Sequence, residues 1–159
     1  MNLHLRKATI NDLPAIQSLC NELGEQSAGF DAELSTTWAS NHEGEKYYRE
    51  RLMGKDGFVL IAEESEEILG FISTTIHSPD TWRLTKRVEV DNIFLKDAHR
   101  GKGVGKKLIH EVKKWSREIQ ANRIFLTAFF QNKKAIAFYE REGFIPYELT
   151  LEIDLKKSE

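Results

Sequence analysis

Between residues 99 and 107 the chain reads His99-Arg100-Gly101-Lys102-Gly103-Val104-Gly105-Lys106-Lys107. Before it runs an apolar segment, Val88 to Leu95, that reads as a strand. After it, Val104, Leu108, Ile109, Val112, Trp115 and Ile119 fall on one stripe at helical spacing, so the glycines form a strand-to-helix turn. Three alternate glycines carry no Cβ, and the backbone there can turn tightly and come close to a ligand. The first N–H groups of the following helix have no internal acceptor and sit at the positive end of its dipole, an arrangement that favours phosphate or pyrophosphate. Arg100, Lys102, Lys106 and Lys107 concentrate positive charge at the same place. The stretch is not a Gly-x-x-x-x-Gly-Lys-Ser/Thr loop. Nor does its Gly-x-Gly-x-Gly spacing give the Gly-x-Gly-x-x-Gly dinucleotide fingerprint. The alternative for the loop alone is a flexible turn with incidental lysines.

One strand further on comes Asn132-Lys-Lys-Ala135-Ile-Ala-Phe138-Tyr139-Glu-Arg-Glu-Gly143-Phe144. The two segments together resemble the GNAT superfamily of N-acetyltransferases. Its core motif is Arg/Gln-x-x-Gly-x-Gly/Ala after a strand, and Arg100-x-x-Gly103-x-Gly105 matches it. Its second motif, Asn-x-x-Ala-x-x-Phe-Tyr-x-x-x-Gly-Phe, is matched by residues 132–144 at every fixed position. The opening Leu5-Arg6-Lys7-Ala8-Thr9, with Asp12 beginning a helix, is similar to the family's first strand and helix. The resemblance is strong over residues 88–146 and loose over 20–57.

The resemblance implies an acetyl-CoA-dependent enzyme whose sheet splays between two parallel strands, here Val88–Leu95 and Arg123–Phe130. The pantetheine arm would enter that gap and pair with backbone around Phe94 and Leu95. A free N–H near Leu95 would stabilise the developing oxyanion. The pyrophosphate would sit on the N–H groups of Gly101, Lys102, Gly103, Val104, Gly105 and Lys106, with Arg100 also counted among the cofactor-binding residues. Asn132 and Ala135, at the start of the next helix, would touch the cofactor arm, unless Asn132 is a helix cap and nothing more. Tyr139 matches the family's general acid, which protonates the departing thiolate; the other reading is a core aromatic beside Phe138. The base that deprotonates the amine is assigned to Asp91, with Glu89 in reserve. Both share one face of their strand, and apolar surroundings would raise a carboxylate's pKa there. Surface carboxylates on an exposed strand are the alternative.

The remaining patterns fill in a mixed α/β (α+β) domain over residues 1–159. Leu3 to Ala8 reads as a strand. A helix follows, begun near Pro14, striped by Leu13, Ile16, Leu19, Cys20 and Leu23, and stopped at Gly24. Glu43 to Met53 reads as a second helix. Phe58 to Glu63 and Ile68 to Ile76 form a hairpin about a charged turn. Arg123 to Phe130 is a strand and Lys133 to Glu142 a helix; Phe144 to Tyr147 and Leu149 to Leu155 close the chain as strands. The expected fold is a mostly antiparallel twisted sheet of about seven strands flanked by about four helices.

With 40% hydrophobic and 30% charged residues, the composition is that of a soluble globular chain. No apolar run approaches the length of a membrane span, and the amino terminus lacks a signal-peptide core. Cys20 is a lone cysteine, so no internal disulfide forms. A cytoplasmic location is expected. Residues 1–99 carry 10 Lys+Arg against 17 Asp+Glu, and residues 100–159 carry 13 against 8. That balance argues against nucleic acid as a partner and allows a smaller polyanion on the basic half. His4, His42, His77, His99 and His110 lack metal-ligand spacing, and no metal is expected.

Cys20 lies on an apolar stripe, so direct attack in a ternary complex is expected in preference to a covalent acyl-enzyme. In this family the acceptor site is usually built by the first two helices and nearby strand ends, here roughly residues 22–55 and 77–87. Acidic residues between Glu22 and Glu50 would suit a cationic amine of a small molecule or peptide, though a solvated helix face reads equally well. Phe30, Trp38, Tyr47, Tyr48 and Trp82 would line that pocket or simply pack. A homodimer and the acceptor's identity stay open. A non-catalytic acyl-CoA sensor would keep the glycine loop without needing Tyr139.

Overall fold

A computed structural model describes residues 2–157. Five strands form one sheet in the order of the chain: β1 (His4–Lys7), β2 (Val59–Glu64), β3 (Glu67–His77), β4 (Arg87–Leu95) and β5 (Arg123–Phe125). The first four pair antiparallel, and β4 and β5 pair parallel. Helices α1 (Leu13–Ser27) and α2 (His42–Leu52) cover one face. Helices α3 (Val104–Glu118) and α4 (Lys133–Arg141) lie toward the other.

The strands sort their side chains by alternation. On the α1/α2 face, Ile16 and Leu19 pack with Tyr48, Ile61, Phe71 and Phe94. On the α3 face, Leu108, Ile109 and Val112 pack with Leu60, Ile72, Val88 and Val90. Val88, Val90 and Phe94 are all even-numbered, yet Phe94 lies on the opposite face from the two valines. The strand changes parity because Ser73 pairs with Asn92 and Thr74 with Val90, leaving Asp91 as the extra residue of a β-bulge.

Four expectations are corrected. Helix α1 does not stop at Gly24 but runs to Ser27. The missing Cβ of Gly24 serves another purpose: one would lie 3.1 Å from the backbone of Thr36, in the connection that folds back against the helix. Strand β5 is three residues long instead of eight. Residues 144–155 form no strand, so the sheet has five strands and not about seven. Their alternating apolar side chains, Ile145, Tyr147, Leu149, Leu151, Ile153 and Leu155, are 62–84% exposed. With β5 ending at Phe125, no ladder continues for them to join, and Pro146 lacks the N–H to begin one.

Candidate active site

The parallel strands separate immediately after they meet. Arg87, Val88 and Glu89 pair with Arg123, Ile124 and Phe125. The six residues of β4 beyond Glu89 have no strand on that side among the described residues. The gap expected from the sequence is therefore present, between β4 and the segment that leads to α4.

At the far end of the gap sits the amino terminus of α3. Gly101 and Gly103 hold left-handed backbone (φ +73° and +80°), with open space where a Cβ would be, so conformation and not crowding selects glycine. The N–H groups of Gly101 to Lys106 donate to nothing among the described residues; the first to find an acceptor is that of Lys107, to the Gly103 carbonyl (3.2 Å). Six unpaired N–H groups at the positive end of a 15-residue helix form a cradle that fits a pyrophosphate. Val104 turns its side chain into the core. Gly105 lets α4 approach: a Cβ there would lie 3.2 Å from the Phe138 ring. That contact joins the two sequence motifs in space.

Arg100, expected among the cofactor-binding residues, is engaged within the protein. Its Nε donates to the Leu95 carbonyl (2.9 Å), Nη2 to Gln26 Oε1 (2.8 Å), and Nη1 pairs with Asp97 (2.8 Å). Its guanidinium lies 5.4 Å from the centre of the buried Phe94 ring. It braces the loop against β4 and α1, and the charge left for an anion comes mainly from Lys102 and Lys106. The α1–α2 connection also reaches the gap, where Phe30 stacks on Phe129 at 5.6 Å. Asn132 caps α4, its Oδ1 accepting the Ala135 N–H (3.1 Å), so neither of those atoms is free for a cofactor. The Asn132 side-chain amide donates to no group of the protein.

Tyr139 packs its ring between Phe138 (5.3 Å) and Phe144 (5.9 Å). Burial pushes its pKa up to about 12. Among the described residues its hydroxyl has no hydrogen-bond partner. The residue is half-buried and its hydroxyl is not among the sealed, unpartnered polar atoms, so the donor stays open to meet a ligand.

Asp91 is the most elaborately held carboxylate of the sheet. Oδ2 accepts from the Tyr47 hydroxyl (2.6 Å) and from Thr75 Oγ1 (2.8 Å). Arg51 Nη2 in turn donates to Thr75 Oγ1 (2.9 Å), and its guanidinium lies 4.7 Å from the centre of the Tyr47 ring. Oδ1 accepts nothing from the protein. Burial raises the Asp91 pKa above the usual carboxylate value, and the Tyr47 and Thr75 hydrogen bonds oppose that shift. Burial also pushes the Tyr47 phenol well up, so it remains a donor. Glu89 faces the same side but is engaged by His77 Nε2 (2.7 Å).

Tyr47, Thr75 and Arg51 as partners of Asp91 were not found from the sequence. Tyr47 and Arg51 stand four apart on α2, a spacing visible beforehand. Thr75 needed the β3–β4 register, which the bulge shifts. Removing the Tyr47 hydroxyl deletes a hydrogen bond to the charged form of Asp91. Its pKa then rises, and for a group that works deprotonated, activity is lost sooner as the pH falls. For Tyr47→Phe the acid limb of kcat/KM is expected to move to higher pH, measured as a pH–rate profile beside the wild type.

The aromatic residues expected to line an acceptor pocket divide. Trp38, Tyr47 and Tyr48 pack on one another at 4.9–6.3 Å, and Trp82 is exposed. Among the acids of α2, Glu45 pairs with Arg49 (2.7 Å) and Glu50 with Lys55 (3.0 Å), so they contribute little free negative charge.

The chain belongs to the acetyltransferase (GNAT) family, whose model matches residues 25–144. It is 29% identical to the uncharacterized N-acetyltransferase YhfO of Bacillus subtilis over 143 residues, 89% of each chain. It is 26% identical to a second such protein of that organism, YobR, over 144 residues; the match takes in 83% of this chain and 55% of YobR. Among solved structures, a mutant form of the BH1408 protein from Bacillus halodurans superimposes with a TM-score of 0.83 at 21% identity, over 96% of this chain and 99% of that one. That likeness shows the fold. Among the described residues, no helix is long and apolar enough to cross a membrane, and no three His, Cys, Asp or Glu side chains are grouped as a metal would require.

Proposed function

We propose that the protein transfers an acetyl group from acetyl-CoA to a primary amine, by direct attack while both substrates are bound. The observation that carries this reading is that two groups keep unspent hydrogen-bonding capacity, one on α4 and one on the splayed strand β4. Tyr139 offers an unpaired hydroxyl on α4, and Asp91 offers a free Oδ1 on the splayed strand.

Acetyl-CoA supplies an activated thioester. The amides of residues 101–106 with Lys102 and Lys106 bind its pyrophosphate, and the unpaired edge of β4 around Phe94 and Leu95 orients its arm. An amine is mostly protonated near neutral pH. Asp91 Oδ1 takes that proton, directly or through one water, while Tyr47 and Thr75 hold Oδ2 in place. Tyr139 donates to the departing sulfur. Cys20 lies in the α1/α2 core with its thiol pKa raised by burial, which does not suit a nucleophile. The test is release of free thiol from acetyl-CoA that requires an added primary amine.

A further inference from the structure

Arg87 carries a charge that the Asp80 carboxylate and the Phe125 ring meet only at a distance. Among the described residues it makes no hydrogen bond and no ion pair, and its Nε is buried without a partner. The guanidinium lies 4.7 Å from the centre of the Phe125 ring. Directly opposite, across the parallel junction, stands a second cation, Arg123, which lies over the Tyr147 ring at 5.4 Å. Two like charges facing each other repel, and a buried donor without an acceptor is costly. By contrast Arg83, at the same end of the strands, is satisfied by the Tyr147 hydroxyl (3.1 Å) and approaches Glu148 (3.9 Å).

The position of Arg87 gives this vacancy a meaning. Arg87, Glu89 and Asp91 follow one another on the same face of β4. From the bulge outward that face presents a carboxylate with one free oxygen, then Glu89 engaged by His77, then a guanidinium whose buried Nε has no acceptor. The His77 ring meets Phe125 at 5.4 Å, so the wall is continuous. Along a strand the Cα atoms of residues 87 and 91 lie roughly 13 Å apart, and the long arginine stem shortens the span at the side-chain tips. A guanidinium binds carboxylate or phosphate through two parallel N–H groups.

We infer that the acetyl acceptor carries an anionic group, a carboxylate or a phosphate, several bonds from its amine, and that Arg87 with Arg123 binds that group. The inference rests on Asp91 being the place where the amine is deprotonated. It turns away from polyamines, whose second cation would meet the arginines.

The test compares three acceptors of matched length: ε-aminocaproate, its uncharged amide and the corresponding aminoalkyl phosphate. Wild type, R87Q and R123Q are used, with rates from thiol release and with calorimetric binding in the presence of CoA. The expected result is a KM for one or both anionic acceptors at least tenfold below that of the amide. R87Q brings the ratio close to one, and R123Q, at an exposed side chain, lowers it several-fold. The better anionic probe tells carboxylate from phosphate. An amide as good as either anion, or a preference that survives R87Q, overturns the inference. If no acceptor is acetylated, calorimetry decides separately. Anion binding that R87Q abolishes upholds Arg87 and sinks the acetyl-transfer reading of the site; absent or equal binding sinks the inference.

Discussion

Tyr139→Phe is expected to lower kcat by a hundredfold to ten-thousandfold, the range for loss of a positioned proton donor, and to leave acetyl-CoA binding in place. The ring's packing against Phe138 and Phe144 survives the change. Among the described residues the hydroxyl has no partner, so its removal orphans no other group, and folding stability should move by no more than about 0.5 kcal/mol. A phenol held near pKa 12 is a weak acid against an ordinary thiol of about 8.5. The same desolvation that raises the phenol also raises a thiolate beside it, which narrows the difference and favours donation as charge builds on sulfur. Single-turnover rates together with calorimetry on wild type and variant check both halves. A variant that loses binding along with rate would mark Tyr139 as a packing residue.

Asp91→Asn is the second large effect. The amide keeps the size of the carboxylate and an oxygen that Tyr47 and Thr75 can donate to, so the bulge and its hydrogen bonds persist. It cannot accept the amine's proton. A fall in kcat/KM of order 10²–10⁴ at neutral pH is expected. The pH profile should also change shape. In the wild type, activity is present while Asp91 is ionised and is lost as pH falls through its pKa, which burial raises above the usual value near 3.8; in the variant that limb disappears. Glu89→Gln should do much less, because Glu89 is already held by His77. Equal losses for the two variants would move the base from Asp91 to Glu89.

Much of this arrangement could be read from residue pattern. The helical stripes of α1 and α3 come from periodicity, the β2–β3 hairpin from the charged turn between two apolar runs, and the phosphate cradle from alternate glycines before a helix. These are local signals. What failed was not local. The tail alternates as a strand should, but a strand needs a partner, and β5 ends after three residues. Gly24 reads as a helix stop, yet its use is decided by Thr36, which arrives from a different segment. The hold on Asp91 depends on a one-residue bulge that no periodicity announces; it joins Tyr47 and Thr75, respectively 44 and 16 residues away. The Arg87–Arg123 pair likewise exists only through the parallel register.

The most direct measurement follows free thiol released from acetyl-CoA by the purified protein, with and without primary amines. Release that depends on both acetyl-CoA and an amine, and that yields the acetylated amine, is the predicted result. Tight acetyl-CoA binding with no release on any amine would contradict catalysis and leave a binding module, while failure to bind acetyl-CoA would contradict the phosphate cradle itself.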